Sequence, residues 1–203
     1  MKKICMAALC AAWLIAVAGV ALAQAPEPSL TLPNVEVYGG FVVTSTDYGQ
    51  HWDSFLLYGF EAVASKGLTE HLWLTGTFDF LWGNPSIPNT SGVPVEMHIK
   101  QTQATVGAKY YILTRNFRPY ATVQIGGVRQ SSEGFYGRDH TIPTPVGVHR
   151  VEGGFTYRFG GGVEWQIKPR MYWRIAQWDW QPQPWGRHTP FYSNLGTGVG
   201  YRF

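Results

Sequence analysis

Hydrophobic and polar residues alternate along most of this chain with a period of two, which is the period of a β-strand. The clearest run is FTYRFGGGVEWQI, where every second residue from Phe155 to Ile167 is apolar or glycine and the others are polar or glycine. The last ten residues, NLGTGVGYRF, alternate too and end on phenylalanine, although most chain termini are polar. The pattern predicts a chain of strands whose last member has one face removed from water.

Eight alternating segments follow one another, separated by stretches rich in turn-forming residues. They cover residues 35–44, 54–65, 70–82, 97–111, 119–130, 154–167, 171–181 and 191–203. No segment shows the 3.6-residue period or the capping residues of a helix. Short connections at 66–69, 112–118 and 168–170 alternate with long ones at 45–53, 83–96, 131–153 and 182–190. This order is typical of outer-membrane barrels, whose short turns face the periplasm and whose long loops face outside.

Alternation alone does not say which face of the strands points inward. A soluble barrel has its apolar face inside, whereas an outer-membrane barrel has it outside. The polar face mixes glycine with charge, as in Arg158, Gly160, Gly162 and Glu164, and a narrow eight-stranded interior needs small residues beside long ones. We therefore favour the apolar face outside, with a soluble sandwich or periplasmic binding barrel as the alternative.

Aromatic residues collect near the ends of the segments, which favours the same direction because outer-membrane barrels carry an aromatic girdle at each lipid–water boundary. One predicted rim contains Trp165, Trp173, Tyr110, Tyr120 and Tyr201, and the other contains Trp52, Trp82, Trp178, Trp180 and Trp185.

The seventh segment, MYWRIAQWDWQ, breaks the alternation because the tryptophans before and after its middle have opposite parity. One extra residue near Ala176 or Gln177, a β-bulge, would bring all of them to the lipid side. The same bulge would place Arg174 and Asp179 together inside the barrel. We therefore predict a bulge in this strand.

The first 23 residues, MKKICMAALCAAWLIAVAGVALA, contain two lysines, an apolar run and a final Ala-Leu-Ala, which is the layout of a secretory signal peptide. A membrane-anchor helix is the alternative. We predict a signal peptide over 1–23, a disordered Pro-rich lead-in over 24–33 and the barrel over 34–203. Both cysteines, Cys5 and Cys10, fall in the signal peptide, so the mature chain is expected to have no disulfide.

The composition agrees with a barrel in lipid. Charged residues make up 14% of the chain, below the roughly 25% of ordinary soluble domains, while aromatics make up 15% and glycine occurs 24 times. Without Lys2 and Lys3, 16 − 2 = 14 basic residues face 13 acids, a formal net charge of +1. This near balance, with no basic cluster, argues against a nucleic-acid partner.

If the apolar face is outside, seven charged side chains point into the barrel. These lumen charges are Glu61, Asp79, Lys109, Arg158, Glu164, Arg174 and Asp179. Folding the 168–170 turn brings Glu164 opposite Arg174, and Arg158 near Asp179. Because isolated buried charges are costly, we expect a salt-bridged plug rather than the alternative, a conducting polar pore.

The sequence offers no cofactor or metal site, since its six histidines lie far apart without the spacing of metal ligands. Some small outer-membrane barrels modify lipid A, and the deacylase type uses a His-x-Ser pair with a Glu. The nearest match here, HTPFYS, places His188 and Ser193 five residues apart with no such Glu. We therefore expect no catalysis.

The longest connection, 131–153, mixes aromatic and basic residues with prolines. Its candidate surface residues are Phe135, Tyr136, Arg138, His140 and Arg150. Exposed aromatics and arginines on a rigid barrel can bind an extracellular ligand. The same residues could also cover the barrel mouth or contact lipopolysaccharide phosphates, and the sequence leaves these alternatives open.

The C-terminal stretch YWRIAQWDWQPQPWGRHTPFYSNLGTGVGYRF resembles the end of the small OmpA/OmpX-like outer-membrane β-barrel domain family. The resemblance rests on Arg174, Gln177 and Asp179 in the penultimate strand, and on Asn194, Arg202 and Phe203 in a glycine-alternating last strand. It implies an all-β, eight-stranded antiparallel up-and-down transmembrane barrel in the outer membrane. It also implies delivery by the barrel-assembly machinery, which would recognise the terminal strand through Leu195, Val199, Tyr201 and Phe203.

The function expected from these patterns is structural and interactive: a non-catalytic outer-membrane barrel that displays extracellular loops. The alternatives are a narrow passive conduit for small solutes and a lipid A-modifying outer-membrane enzyme. The expected partners are outer-membrane lipid and lipopolysaccharide, the barrel-assembly machinery and an extracellular ligand that the sequence does not name.

Overall fold

The computed structural model describes residues 35–47, 55–88, 94–112, 116–136, 142–143, 150–184 and 191–203. The signal peptide expected over 1–23 and the lead-in expected over 24–33 lie outside these residues, so both boundaries stay predictions. Within the described ranges, no helix has the length and apolarity needed to cross a bilayer.

The described residues form ten strands, of which eight are long. In chain order they are β1 (Val35–Asp47), β2 (Phe55–Gly67), β3 (Leu72–Gly83), β4 (Ser86–Pro88), β5 (Pro94–Tyr111), β6 (Phe117–Tyr136), β7 (Ile142–Pro143), β8 (Arg150–Lys168), β9 (Met171–Pro182) and β10 (Phe191–Arg202). The eight long strands correspond to the eight predicted segments. The short strands β4 and β7 pair with β5 and β6, respectively.

The long strands close into a barrel in which each pairs antiparallel with its neighbours in the chain, in the order β1, β2, β3, β5, β6, β8, β9 and β10. The ring closes where β10 pairs with β1, with Glu36 opposite Arg202, and the Phe203 amide donates to the Val35 carbonyl oxygen at 2.9 Å. Closure pairs the backbone of both terminal strands, which a strand surrounded by lipid requires. The predicted fold class is confirmed.

The apolar face of the strands is on the outside, as predicted. Phe155 is 69% exposed, Phe60 61% and Leu195 57%, whereas the charged side chains of the alternate positions are buried inside. A soluble barrel would have the reverse arrangement. Such an outer surface is compatible with lipid and would be aggregation-prone in water.

Exposed aromatics lie near both ends of the barrel. Trp165, Trp173, Tyr110 and Tyr201 are exposed towards the short turns, and Trp82, Trp178 and Trp180 towards the long connections. Tyr120 is a correction to the predicted girdle: it points into the barrel, where its hydroxyl donates to Gln177 Oε1 at 2.9 Å. It shares the inward parity of Thr122 and Gln124, which decides its direction. Trp52 and Trp185 lie outside the described residues.

Three strands are much longer than the others, and two of these, β6 and β8, are also much longer than predicted. β5, β6 and β8 have 18, 20 and 19 residues, whereas each of the other five barrel strands has 12 or 13. The predicted loop over 131–153 is therefore wrong at both ends, because pairing continues as far as Val95 opposite Tyr136 and Ser132 opposite Arg150. Backbone pairing between strands extends the ladder here without an alternating apolar pattern.

The predicted bulge in β9 is confirmed. Val163 pairs with Ala176 and Glu164 with Arg174, so Ile175 is the extra residue. The parity changes at this point, and Arg174 and Asp179 are both buried inside while Trp173 and Trp178 face out.

The lipid-facing side of this bulge is stabilised by Thr197, a polar residue on the outer face of the C-terminal strand. Thr197 Oγ1 donates to the carbonyl oxygen of Arg174 at 2.9 Å and accepts from Trp173 Nε1 at 3.0 Å. A bulge removes ladder partners, and lipid offers none in return. Thr197 therefore supplies a hydrogen bond that the bulge needs.

Glycines on the inner face make room for two tyrosine rings. A Cβ at Gly200 would overlap the ring of Tyr172, and a Cβ at Gly40 would overlap the hydroxyl end of Tyr38. These close approaches explain why glycine alternates with larger residues in the first and last strands.

Candidate functional site

Among the described residues, nine charged side chains lie in the interior of the barrel, none of them more than 3% exposed. They are Glu36, Glu61, Asp79, Lys109, Arg158, Glu164, Arg174, Asp179 and Arg202. Seven of the nine are the lumen charges of the sequence analysis, and the structure brings all seven together. Glu36 and Arg202 are the two that the sequence analysis did not include. Their inward direction could have been inferred, because their chain neighbours Val35, Val37, Tyr201 and Phe203 all face outward.

The central cluster consists of Arg158 and three carboxylates, Glu61, Asp79 and Asp179. Arg158 donates to Asp179 Oδ2 from Nε at 2.9 Å and from Nη2 at 2.6 Å, and to Asp79 Oδ2 from Nη1 at 3.0 Å. Its Nη2 also pairs with Glu61. Because these residues come from β2, β3, β8 and β9, one guanidinium links strands on opposite sides of the barrel.

The periplasmic cluster consists of Glu36, Lys109, Glu164 and Arg202, with the hydroxyl of Tyr111 among them. Lys109 pairs with Glu36 and lies 3.7 Å from Glu164 Oε1. Arg202 lies 3.3 Å from Glu36 Oε2 and 2.6 Å from Glu164 Oε2, and Tyr111 donates to Glu164 Oε2 at 2.9 Å. The cluster lies at the end of the barrel where the short turns join the strands.

Arg174 connects the two clusters. Its Nη1 lies 3.3 Å from Glu61 in the central cluster, and its Nη2 lies 3.2 Å from Glu164 in the periplasmic cluster. The guanidinium carbon lies 3.7 Å above the ring centre of Tyr38, a cation–π contact. The bulge in β9 directs Arg174 inward, so a local irregularity of the backbone joins the two clusters.

Gln177 is a further interior residue that charge counting missed. Its amide nitrogen donates to Asp179 Oδ2 at 2.5 Å and to Glu61 Oε2 at 3.2 Å, and its carbonyl oxygen accepts from Arg174 at 2.5 Å. The sequence did contain a sign of its importance, because Gln177 is one of the residues on which the resemblance to the small outer-membrane barrel family rests. Gln177 completes the hydrogen bonding around the central carboxylates.

An apolar layer covers the central cluster on the side of the long connections. It consists of Val42, Leu57, Leu81, Ile99 and Tyr192, with Phe55 and Met97 packed against it. Between the two clusters the structure leaves a small cavity beside Thr75, Thr122 and Lys109, with room for about one water molecule. The described interior is thus filled by side chains along most of its length.

The charged side chains of this interior pair with one another. Five carboxylates face four cations among the nine buried residues, and every one of them has an ion-pair partner. In the part of the chain that the structure describes, no group of three or more His, Cys, Asp or Glu residues could hold a metal ion. The carboxylates, the ammonium group of Lys109 and the guanidinium groups form one interlinked network.

The residues considered for an assembly signal share the outer face of β10 and the chain end. Leu195, Val199, Tyr201 and Phe203 are all exposed, and the rings of Tyr201 and Phe203 contact each other edge to face. They lie along the outer face of the closing strand, with Thr197 between Leu195 and Val199 and with Tyr201 and Phe203 at the chain end.

The candidate surface residues are divided between strand and undescribed chain. Phe135 and Tyr136 end β6, and Arg150 begins β8, so these three are strand residues rather than loop residues. Arg138 and His140 lie outside the described residues, as does His188. Ser193, the other residue weighed for catalysis, lies on β10 and accepts a hydrogen bond from Trp178 Nε1 at 2.8 Å.

Solved structures of small outer-membrane barrels are similar to this one. Neisserial surface protein A is 12% identical with a TM-score of 0.65, and the match covers 86% of this chain and 100% of that chain. Ail, the attachment invasion locus protein of Yersinia pestis, is 12% identical with a TM-score of 0.57, covering 85% and 100%. A second Ail structure is a complex with the heparin analogue sucrose octasulfate, at 11% identity, a TM-score of 0.57 and coverage of 83% and 97%.

No protein-family model matches the chain, and no curated protein matches its sequence. At such low identity the similarity to solved structures concerns the fold, which agrees with the closed ring of eight strands and the apolar outer surface. The resemblance found at the C-terminal end is confirmed at that level. The chain therefore has the eight-stranded barrel fold of these small outer-membrane proteins.

Proposed function

We propose that this barrel is non-catalytic and non-conducting, and that it acts through its extracellular end by binding a partner outside the cell. The observation that carries this proposal is the ion-paired interior. A lumen closed by charges leaves the outer surface as the place where the protein can interact with other molecules.

Ion pairs cross the interior at both levels. Arg158 on β8 reaches Glu61 on β2, while Lys109 on β5 reaches Glu36 on β1. A solute moving through the barrel would have to separate these pairs, and uncompensated buried charges cost several kcal/mol each. The apolar layer next to the central cluster adds a second barrier to polar solutes.

The extended strands support a role at the extracellular end. β5, β6 and β8 have 18 to 20 residues, whereas a strand needs about 9–11 residues to cross a bilayer. Their outer parts, with β4 and β7 paired to them, form a sheet on the side of the long connections. A rigid sheet that projects from a barrel is a suitable base for binding residues.

The first experiment measures conductance of the full-length mature chain in planar bilayers. We expect no channel openings from protein whose folding is verified by heat-modifiable gel mobility. Openings of wild-type protein would overturn the proposal and favour the narrow conduit. The variant Arg158→Leu is the matched test of the plug, because it removes the central guanidinium and leaves the outer surface unchanged.

The second experiment tests the extracellular end with heparin as the probe, because the similar barrel Ail has been crystallised with a heparin analogue. Replacing 133–149 by Asn-Gly joins β6 and β8 directly after the last backbone pair of their ladder, Ser132 with Arg150, and so keeps the barrel register. We expect cells displaying the wild-type chain to bind immobilised heparin and the shortened variant to lose at least most of that binding. Equal binding by both variants would contradict the role of the projecting sheet.

A lipid A-modifying enzyme predicts a different result. Mass spectrometry of lipid A from cells with and without the protein should show no difference if the barrel is non-catalytic. A mass change that His188→Ala abolishes would overturn the proposal in favour of the enzyme.

We further propose that the C-terminal strand is the assembly signal for the barrel-assembly machinery. The exposed outer face formed by Leu195, Val199, Tyr201 and Phe203 supports this role. Removing Phe203 should reduce the fraction of heat-modifiable protein in the outer membrane, whereas Phe155→Ala, an equally exposed aromatic on another strand, should have a smaller effect. Equal effects would contradict a special role for the terminus.

A further inference from the structure

Two exposed cations lie on the outer surface of the barrel in its extracellular half. They are Lys100 on β5 and Arg129 on β6. Among residues of that half whose side chains the structure describes, no other lysine or arginine is exposed. On β1 and β2 the same rows of paired residues contain Phe41, Tyr58 and Phe60. The two cations therefore mark one side of the barrel.

The register of the strands makes Lys100 and Arg129 neighbours. Lys100 pairs with Ser131 and Arg129 pairs with Thr102, so the two cations are diagonal neighbours on the same face. Diagonal pairs lie about 7–8 Å apart, within the span of one phosphate group held by two long side chains.

Their height along the barrel is that of the lipid headgroups. Lys100 pairs with Trp82, an exposed member of the aromatic girdle near the long connections. Girdle aromatics lie at the lipid–water boundary. On the loop side of Lys100 the next outward pair is His98 with Glu133, so the charged surface continues away from the membrane.

Directly below the cations, towards the middle of the membrane, the surface forms a shallow trough. One row of paired residues consists of Phe78, Ala104, Gly127 and Phe155. The small residues Ala104 and Gly127 thus lie between two phenylalanine rings, one on each side. Phe78 is 51% exposed and Phe155 69%. A Cβ at Gly127 would have one neighbour within 4 Å, a carbonyl oxygen at 3.8 Å, so the trough is open outward.

We propose that Lys100 and Arg129 bind a phosphate of lipid A in the outer leaflet and that the trough below them holds one of its acyl chains. A cation at a lipid-facing position needs an anionic partner, and lipid A presents phosphates at the boundary and acyl chains beneath it. Arginine suits this role because its planar guanidinium binds phosphate through two hydrogen bonds. The trough lies where an acyl chain would continue from such a headgroup. This site involves neither the lumen nor residues 133–149, so it is independent of the proposed function.

Native mass spectrometry of the full-length mature chain in detergent tests the proposal, with lipid A, dephosphorylated lipid A and phosphatidylglycerol as probes. The test variant is Lys100→Gln with Arg129→Gln. The matched control is Lys66→Gln with Lys168→Gln, which removes two exposed cations from the opposite end of the barrel. All measurements use protein that shows the heat-modifiable mobility of a folded barrel.

We expect the wild type and the control to retain lipid A equally and the test variant to retain about tenfold less. Dephosphorylated lipid A should bind the wild type as weakly as lipid A binds the test variant. Lys100→Arg should keep most of the binding, and it serves as the variant least able to disturb folding. A further variant, Gly127→Leu, fills the trough and should weaken lipid A binding while both cations remain.

Three results would overturn the proposal. Equal lipid A retention by the test and control variants would remove the role of these cations. Equal binding of dephosphorylated lipid A would remove the role of phosphate. Equal competition by phosphatidylglycerol would show a general preference for anionic lipid instead of a site for lipid A.

Discussion

The two charge clusters inside the barrel are built in opposite ways. In the central cluster three carboxylates converge on one guanidinium, that of Arg158. In the periplasmic cluster two carboxylates share Lys109 and Arg202, and the hydroxyl of Tyr111 bonds to both. The first cluster depends on a single side chain, whereas the second has several partners for each charge.

This difference indicates which of the two clusters is more sensitive to the loss of one residue. Losing one residue of the periplasmic cluster leaves every carboxylate with another cation or hydroxyl. Losing Arg158 leaves Asp79 with no cation within ion-pair distance among the described residues, and it leaves Glu61 with Arg174 only. Because buried charges without partners are strongly unfavourable, redundancy should decide how much each substitution costs.

The largest effect is expected from Arg158→Leu. The variant leaves three buried carboxylates close together, and breaking a buried pair in this way costs about 3–5 kcal/mol of unfolding free energy. Urea unfolding in lipid vesicles, followed by tryptophan fluorescence, measures the loss. Adding Glu61→Gln, Asp79→Asn and Asp179→Asn to Arg158→Leu should recover a large part of it. No recovery would show that packing of the Arg158 side chain, and not its charge, stabilises the barrel.

A smaller loss is expected from Lys109→Met. Methionine fills similar space, and Glu36 and Glu164 both keep Arg202 and Tyr111 as partners. The remaining cost is that of losing charged hydrogen bonds, about 2 kcal/mol. The same unfolding assay measures it. A cost equal to that of Arg158→Leu would contradict the idea that redundancy protects the periplasmic cluster.

Thr197→Val should destabilise the bulge that directs Arg174 towards the two clusters, although Thr197 itself lies on the lipid-facing side of the strand. The variant removes the hydrogen bond to the Arg174 carbonyl oxygen at the bulge and the acceptor for Trp173 Nε1, at a cost of about 1 kcal/mol. Thr102→Val is the matched control, since Thr102 also faces outward but makes no such contact with the described residues. If both variants cost the same, the bulge does not depend on Thr197.

Much of this arrangement was predictable from parity alone. Once the apolar face is taken as the outer face, alternation places Glu61, Lys109, Arg158 and Glu164 inside, and one bulge does the same for Asp179. Glu36 was equally predictable, because it lies between two outward valines. The direction of an alternating side chain is a local property of the strand, so local sequence determines it.

The lengths of the strands and the partners across the lumen were not predictable in the same way. The outer parts of β6 and β8 carry Ser, Glu and Gly, and they are strands because they pair with each other and with β5. The contact of Arg158 with Glu61 joins residues 97 positions apart through the curvature of the closed ring. The prediction for Tyr120 was wrong for a different reason. It was assigned to the girdle because it is aromatic, whereas its position in the alternation places its side chain in the lumen.

The smallest effect is expected from Asp79→Asn, and it is the sharpest test of the acid-rich central cluster. Arg158 keeps Glu61 and Asp179, and Asp79 Oδ1 has no hydrogen-bond partner among the described residues, so the stability should stay within about 1 kcal/mol of the wild type. Asp179→Asn is the matched comparison. It weakens two bonds from Arg158 and one from Gln177, and it should cost clearly more. If the two variants are equally destabilising in urea, all three carboxylates are needed to hold Arg158. Each of the three carboxylates would then contribute to holding Arg158, and none of them would be in excess of what this guanidinium can bind.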